Sequence, residues 1–182
     1  MAVTYFKNQQ NFQKNVSVSG LRIVPDFILQ KVTNARKRGL KIVLVTGVFD
    51  LLHQEHVIFL AKAKSGGDLL IVAIESDMRV KKIKGNDRPI QGQADRLRAV
   101  ESQKSVDLAF ILPDEFSTPA DHELLISLIR PNILAVSSHT AHLDKKRAVL
   151  EKYGAKVKIV HEHNPNISTT LVIEKKIASD ME

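Results

Sequence analysis

Two histidines, His53 and His56, stand three residues apart in the segment 46–56 (TGVFDLLHQEH). Because residues three apart on a helix lie on the same face, we expect the two imidazoles to be neighbours. Gly47 ends the apolar run before them, and a glycine there lets a ligand approach the backbone closely. A helix that begins near His53 would direct its free N–H groups and positive dipole end to the same place. Two imidazoles in that position suit the negative charge of a phosphoryl-transfer transition state.

The spacing of the two histidines leaves two other interpretations open. Histidines at the start of a helix can serve only to cap its free backbone groups, with no ligand involved. A zinc pair is the other possibility, but metalloprotease helices carry His-Glu-x-x-His with the histidines four apart. The chain also has no cysteine, so a zinc site would need a third ligand from elsewhere in the sequence.

A basic cluster occupies residues 79–98, where seven basic side chains stand against two acidic ones (Arg79, Lys81, Lys82, Lys84, Arg88, Arg96 and Arg98 against Asp87 and Asp95). The whole chain has 27 basic and 20 acidic residues, a net charge of +7. The cluster indicates a site for phosphates or a nucleic-acid backbone, with a solvated basic face as the alternative. Aromatic residues make up only 5% and tryptophan is absent, so base-stacking platforms are scarce and we do not expect a nucleic-acid partner.

Apolar runs that alternate with amphipathic segments must position these residues. Short β-branched runs predict five buried strands, at residues 41–46, 69–74, 107–112, 132–136 and 156–160. Helices are predicted at residues 24–38, 53–64, 93–102, 121–129, 143–153 and 168–178. The alternation predicts a Rossmann-like three-layer α/β/α fold with a five-stranded parallel sheet, whose ligand lies at the carboxyl ends of the strands. Polar residues 1–20 are predicted to be an N-terminal extension, and residues 21–182 a single domain.

The composition of the 182 residues excludes several classes of protein. Without cysteine there is no disulfide scaffold, no cysteine nucleophile and no thiolate metal site. No apolar run approaches the roughly 18 residues that a membrane span requires. The N-terminus shows no hydrophobic segment typical of a secretory signal. We therefore expect a cytoplasmic, soluble domain without a membrane partner.

The segment GVFDLLHQEH resembles the (G/C)xFDxxHxGH signature of the cytidylyltransferase-like nucleotidyltransferases. The segments AKSGGDLLIVAIESD, VKKIKGNDRPI, ADR, VD and ISTT follow in that family's order, so the likeness runs from residue 24 to about residue 176. Heptose-1-phosphate adenylyltransferase domains are the most similar branch, and glycerol-3-phosphate cytidylyltransferases are more distant. The resemblance implies transfer of a nucleoside monophosphate from an NTP, with ATP favoured over CTP, to a phosphorylated sugar or polyol. Pyrophosphate would be released, and Mg²⁺ would accompany the NTP.

The resemblance also implies roles for individual residues. The catalytic residues would be His53, His56 and Lys84, with the lysine reaching a phosphate from a loop hinged at Gly85 and Gly92. The nucleotide-binding residues would be Thr46, Gly47, Val48, Phe49, Arg88, Arg96, Ser168, Thr169 and Thr170. The substrate-binding residues would be Asp50, Ser137 and His139. No metal held by the protein itself is expected. Family members are commonly dimers, so we expect a homodimer.

Three positions depart from the family's pattern. Glu55 replaces the signature glycine between the two histidines, where a carboxylate would repel the triphosphate, point away or take part in binding Mg²⁺. Residues 137–142 (SSHTAH) replace a Lys-Gly-Gly-Asp-like loop, and residues 163–166 (HNPN) replace an Arg-Thr pair. The extra histidines could replace lost phosphate ligands or, with Glu55 or Glu162, hold a divalent metal (His139, His142, His161 and His163). A second hypothesis therefore stays open, a binding or regulatory protein, or a nucleic-acid-associated one, on the same fold without turnover.

Overall fold

A computed structural model describes residues 22–162, and in this range five strands form one sheet. The strands are β1 (Ile42–Gly47), β2 (Leu69–Ile74), β3 (Leu108–Ile111), β4 (Ile133–Ser137) and β5 (Lys156–His161). They lie in the order β3-β2-β1-β4-β5, and every neighbouring pair is parallel. The predicted Rossmann-like α/β fold is confirmed, and each predicted strand end lies within one residue of the observed end.

The same range contains six helices, α1 (Asp26–Lys37), α2 (Gln54–Lys64), α3 (Asp77–Lys84), α4 (Gln93–Glu101), α5 (Pro119–Ile129) and α6 (Leu143–Glu151). Buried side chains of α1, α5 and α6 pack on one face of the sheet, and those of α2 and α4 pack on the other. The result is a three-layer α/β/α sandwich. The sequence predictions miss α3, which begins where the hydroxyl of Ser76 accepts the Arg79 N–H at 3.2 Å.

The central strand β1 is buried on both faces. Ile42 and Leu44 belong to the core under α1, whereas Val43 and Val45 belong to the core under α2, and none of the four is exposed. Burying each such side chain contributes roughly 1.5–3 kcal/mol. A strand covered on both sides needs an apolar residue at every position, which explains the continuous run. The loop that follows β1 therefore starts from the most completely packed part of the sheet.

The strand order reverses beside β1, which pairs with β2 on one side and β4 on the other. The connections through α2 and α5 pass over opposite faces of the sheet. In such sheets a crevice opens at the carboxyl ends of the strands, and ligands bind in it. The predicted N-terminal extension and the predicted helix at 168–178, with Ser168, Thr169 and Thr170, lie outside the described residues. Among residues 22–162, no helix has the length and apolar character that crossing a membrane requires.

Candidate active site

The loop between β1 and α2 has an unusual backbone. Phe49 and Leu51 both adopt left-handed conformations, with φ of 52° and 48°. For residues other than glycine each such conformation costs on the order of 1–3 kcal/mol and tends to occur at functional sites. The Phe49 ring folds back over Gly47, so a Cβ atom at residue 47 would lie 2.8 Å from a ring carbon. A larger residue at position 47 would therefore have to displace the Phe49 ring.

The two signature histidines meet at the start of α2, as their spacing predicts. His53 precedes the first helical residue, and its ring stacks on that of His56 with centroids 3.9 Å apart and planes 20° apart. The backbone N–H of His53 donates to Nδ1 of His56 at 3.5 Å. The Phe49 ring packs edge-on against His56, with centroids 5.4 Å apart. The strained loop thus supports the His56 ring from below.

Burial keeps both imidazoles neutral at pH 7. Burial lowers the pKa of His53, against a smaller opposing effect of Glu55. Burial, together with the charges of His53 and Lys84, lowers the pKa of His56 to about 4. Because Nδ1 of His56 accepts a hydrogen bond, the ring proton of the neutral form is on Nε2, where it can be donated to a phosphate oxygen. The two rings can therefore donate hydrogen bonds to an anion while both are neutral, so two positive charges are not stacked on each other.

The low pKa of His56 makes folding stability depend on pH. The folded state holds this imidazole neutral down to about pH 4, whereas the unfolded chain protonates it near the ordinary value of 6.5. Above pH 6.5 the ring is neutral in both states, so it does not lower the free energy of unfolding. As the pH falls toward 4, only the unfolded chain binds the proton, and the free energy of unfolding decreases. At pH 5 the wild-type protein should have lost about 2 kcal/mol that the His56→Gln variant does not lose. Thermal unfolding of both proteins from pH 7.5 to pH 4.5 measures this difference, and parallel curves would contradict the buried neutral ring.

Lys84 and Arg88 approach the histidine pair from the segment after β2. Lys84 is the last residue of α3, and Gly85 ends that helix with a left-handed φ of 98°. The Lys84 ammonium lies close enough to His56 to lower the pKa of that ring. Partial burial and the Arg88 charge lower the pKa of Lys84 itself. The structure thus brings the two histidines together with two of the predicted basic residues. Lys84 lies at the end of a helix, whereas the sequence predicts it on a loop.

Asp50 anchors the segment that carries Arg88. Its carboxylate is 1% exposed and accepts the backbone N–H groups of Ile90 and Gln91, both at 3.0 Å. The Arg88 Nε lies 3.4 Å from the same carboxylate. Both carboxylate oxygens therefore bind backbone N–H groups of this segment, and the expected contact with substrate stays a prediction. In this position Asp50 joins the β1–α2 loop to the segment after α3.

Arg96 lies buried beside the site, and its expected contact with a nucleotide stays a prediction. The residue is 0% exposed, and its guanidinium donates to three backbone carbonyls from three different segments. The acceptors are the oxygens of Val48 at 2.6 Å, Glu75 at 2.8 Å and Gln91 at 3.0 Å. A fourth bond of 2.8 Å joins it to the Asp77 carboxylate. A nucleotide could reach this guanidinium only by displacing these bonds, so the geometry favours a positioning role.

Glu55, the departure from the family's signature, points toward β5. Its Oε2 lies 2.7 Å from Nε2 of His161, and Nδ1 of His161 lies 3.3 Å from the Lys62 ammonium. Because an ammonium can only donate, Nδ1 is the acceptor and the His161 ring donates to Glu55 through Nε2. The three side chains form a Lys62–His161–Glu55 relay between α2 and β5. Sequence reasoning missed Lys62, although it follows Glu55 by seven residues and so lies on the same helix face.

The remaining rim residues lie at the end of β4. The Ser137 hydroxyl is 3.0 Å from Nδ1 of His139, and the Ser138 N–H donates to the His161 carbonyl at 3.0 Å. Within residues 22–162, no three histidine or carboxylate side chains are arranged to hold a metal ion. Mg²⁺ prefers oxygen ligands, and the carboxylates of Asp50 and Glu55 already have protein partners. These residues do not fit a magnesium site built by the protein alone.

Comparisons with known proteins agree with this fold. The family model described as cytidylyltransferase-like matches residues 44–175. The bifunctional protein HldE of Methylobacillus flagellatus is 38% identical over 151 residues, which is 82% of this chain and 30% of that protein. HldE of Geotalea uraniireducens is 36% identical over 149 residues, 81% of this chain and 29% of that protein. The chain thus spans less than a third of the length of these curated relatives.

A solved structure is similar as well. The lipopolysaccharide core biosynthesis protein from Thermoplasma volcanium matches with a TM-score of 0.55 and 26% sequence identity. The match covers 69% of this chain and 98% of that protein's chain.

Proposed function

The chain belongs to the cytidylyltransferase-like family, and from that premise we propose that it is a nucleotidyltransferase. It transfers the nucleoside monophosphate of an NTP, ATP in the first place, to the phosphate of a phosphorylated sugar or polyol. The observation that carries the proposal is the stacked, neutral pair of His53 and His56 at the start of α2 with Lys84 beside it. The likeness of the sequence to heptose-1-phosphate adenylyltransferase domains supports ATP and a sugar phosphate as substrates. The homodimer stays a prediction.

In the proposed reaction, an oxygen of the acceptor phosphate attacks the α-phosphorus of the NTP. The new P–O bond forms as the bond between the α-phosphorus and its bridging oxygen to the β-phosphate breaks, and pyrophosphate leaves. A phosphate acceptor is already ionised, so no general base is required. His53 and His56 donate hydrogen bonds to the triphosphate, where the positive end of α2 also favours negative charge. Mg²⁺ enters with the NTP as part of the substrate and neutralises charge on the phosphates.

Lys84 and Arg88 supply positive charge from the opposite side of the triphosphate. Asp50 holds the loop of Arg88, and Arg96 holds the backbone of Val48, Glu75 and Gln91 from beneath. The catalytic effect in this proposal is positioning together with charge stabilisation. Ser168, Thr169 and Thr170 stay predicted ligands of the leaving phosphates.

The Lys62–His161–Glu55 relay explains how the site tolerates a carboxylate between its histidines. Because the His161 ring donates to Glu55 at 2.7 Å, the carboxylate is held toward β5. The Lys62 ammonium on the far side of the ring partly balances its charge. In this arrangement Glu55 is compatible with triphosphate binding.

Removing His161 should weaken nucleotide binding through Glu55. In His161→Ala the carboxylate loses its partner, becomes free to turn toward the triphosphate and should raise the Kd for ATP–Mg²⁺ about 10-fold. The double variant His161→Ala/Glu55→Gln should bind like the wild type because the repelling charge is gone. Isothermal titration of the wild type and the two variants provides the comparison. An equal loss in both variants would show that His161 acts independently of Glu55.

The experiment that tests the proposed function combines binding with turnover. Thermal shifts with ATP, CTP, GTP and UTP, each with and without Mg²⁺, identify the donor, because a ligand of the native state raises Tm. Pyrophosphate release is then measured with that donor and a panel of sugar 1-phosphates, including a heptose 1-phosphate, and glycerol 3-phosphate. A Mg²⁺-dependent shift with acceptor-dependent pyrophosphate release supports the proposal. A shift without release from any acceptor would favour a binding protein that has lost turnover.

A further inference from the structure

A second group of basic side chains lies at the carboxyl end of the sheet. Arg79 is on α3, His122 is in the first turns of α5 and Lys146 is in the first turn of α6. These helices follow β2, β3 and β4 respectively, so three connections contribute one residue each. The positive charges of Arg79 and Lys146 both act on His122 and, with burial, lower its pKa. We name Arg79, His122 and Lys146 the basic triad.

The acidic groups around the triad are engaged elsewhere or imperfectly paired. The Asp121 carboxylate caps α5, where it accepts the N–H groups of Ser117 at 3.0 Å and Thr118 at 2.7 Å. Glu75 lies 3.6 Å from Nε of Arg79, and Oε2 of Glu75 and Nε of Arg79 are both buried without a hydrogen-bond partner. The two atoms therefore form a long ion pair with each other, in which the Glu75 carboxylate only partly compensates the Arg79 charge.

Among the three side chains of the triad, Lys146 has the least compensated positive charge. Its side chain is half-buried, and burial alone lowers the pKa of its ammonium. In the part of the chain that the structure describes, no carboxylate forms an ion pair with it. A half-buried cation without a counter-charge, next to a guanidinium and an imidazole, is an environment that favours a dianion.

The triad is connected to the candidate active site through Glu75. The Glu75 N–H donates to the carbonyl of Gly47 at 3.0 Å, and the Glu75 carbonyl accepts from Arg96. Glu75 therefore lies directly beside the last residue of β1, and its side chain faces Arg79. The His122 ring is held in place by the buried ring of Phe116, edge-on with centroids 4.5 Å apart. The triad thus lies along the rim next to the loop that leads to the histidine pair, on separate elements.

We propose that the basic triad binds the phosphate group of the acceptor. This inference rests on the proposed function and assigns the second substrate to the connections after β2, β3 and β4, whereas the triphosphate lies at the start of α2. Arg79 and Lys146 bind the non-attacking oxygens of the acceptor phosphate, and His122 donates one hydrogen bond. The third oxygen is left free to attack the α-phosphorus. The recognised chemistry is a phosphate monoester dianion, whatever sugar or polyol carries it.

The kinetic test compares Lys146→Ala with Lys145→Ala, its exposed neighbour on α6. Loss of a hydrogen bond from a charged group should raise the acceptor KM of Lys146→Ala about 10- to 100-fold. His122→Gln should raise it less, because a neutral donor is replaced by another. The KM for the NTP and the Tm should stay at wild-type values in all three variants. Equal effects on both KM values, or the same effect in Lys145→Ala, would overturn the assignment.

A binding test keeps the triad separate from the proposed function. Inorganic phosphate is titrated into the full chain while NMR follows the His122 ring, which should show a pKa raised by the bound dianion. Lys146→Ala should bind phosphate at least about 10-fold more weakly at this ring, and Lys145→Ala should bind normally. No response of His122 in the wild type would overturn the triad. A normal response without pyrophosphate release from any acceptor would overturn the proposed function alone.

Discussion

Replacing His53 with alanine is expected to lower kcat about 100- to 1,000-fold, the usual cost of removing one preorganised donor to a developing charge. The stability of the folded protein should change little. Nδ1 of His53 is buried without a hydrogen-bond partner, so the variant breaks no hydrogen bond of that atom and removes an unsatisfied polar group. The Tm should therefore stay within about 2 °C of the wild type. Steady-state kinetics and thermal unfolding of the same preparation supply both numbers.

The matched control for this variant is Gln54→Ala, which changes the next residue of the same helix start. Gln54 is exposed, so kcat and Tm should both remain at wild-type values. If His53→Ala lost stability as severely as turnover, the histidine would be a structural cap and not a catalytic residue. If it lost neither, the triphosphate would bind elsewhere in the crevice.

Replacing Arg96 with methionine is expected to destabilise the protein by about 3–5 kcal/mol, because buried partners of a charged group are left without it. Three backbone carbonyls and the Asp77 carboxylate would lose their donors inside the protein. For a chain of this size the Tm should fall by roughly 6–20 °C. Urea unfolding measures the free energy of unfolding, and thermal unfolding measures the Tm. We also expect kcat to fall, because the β1–α2 loop loses the bond from Arg96 to the Val48 carbonyl that holds it in place.

Arg98→Met is the control for Arg96→Met, since it removes an arginine two residues further along the same helix. The Arg98 side chain is 55% exposed, so its loss should change the Tm by no more than about 2 °C. The pair of variants also separates the two roles considered for Arg96. If Arg96→Met kept the wild-type Tm but bound the NTP weakly, the result would support the predicted direct contact between Arg96 and the nucleotide.

Most of the sheet could be predicted because its signals are local. Strands buried on both faces need continuous apolar runs, and the five runs lie within one residue of the observed strands. Helix α3 was missed because it is short, with eight residues, and buries only Val80. Its start is set by the Ser76 hydroxyl, which accepts the Arg79 N–H.

The roles of the charged residues were less predictable than their positions. Asp50 and Arg96 are a carboxylate and a guanidinium next to a phosphate-binding signature, so a direct contact with substrate was the natural prediction. In the structure both side chains point into the protein, where four of their partners are backbone groups 21 to 48 residues away in the chain. Such partners depend on where loops of different strands meet, which no local pattern records.

The sequence by itself determined the five strands, five of the six described helices and the pairing of His53 with His56, because each depends on residues a few positions apart. Only the tertiary structure decided the orientation of Glu55, whose partner His161 lies 106 residues further along the chain. It also decided which cations gather at the rim, because parallel strands bring their carboxyl ends together irrespective of distance in sequence. Local propensity and burial periodicity act over one or two turns, whereas pairing between distant side chains depends on the strand order of the whole sheet.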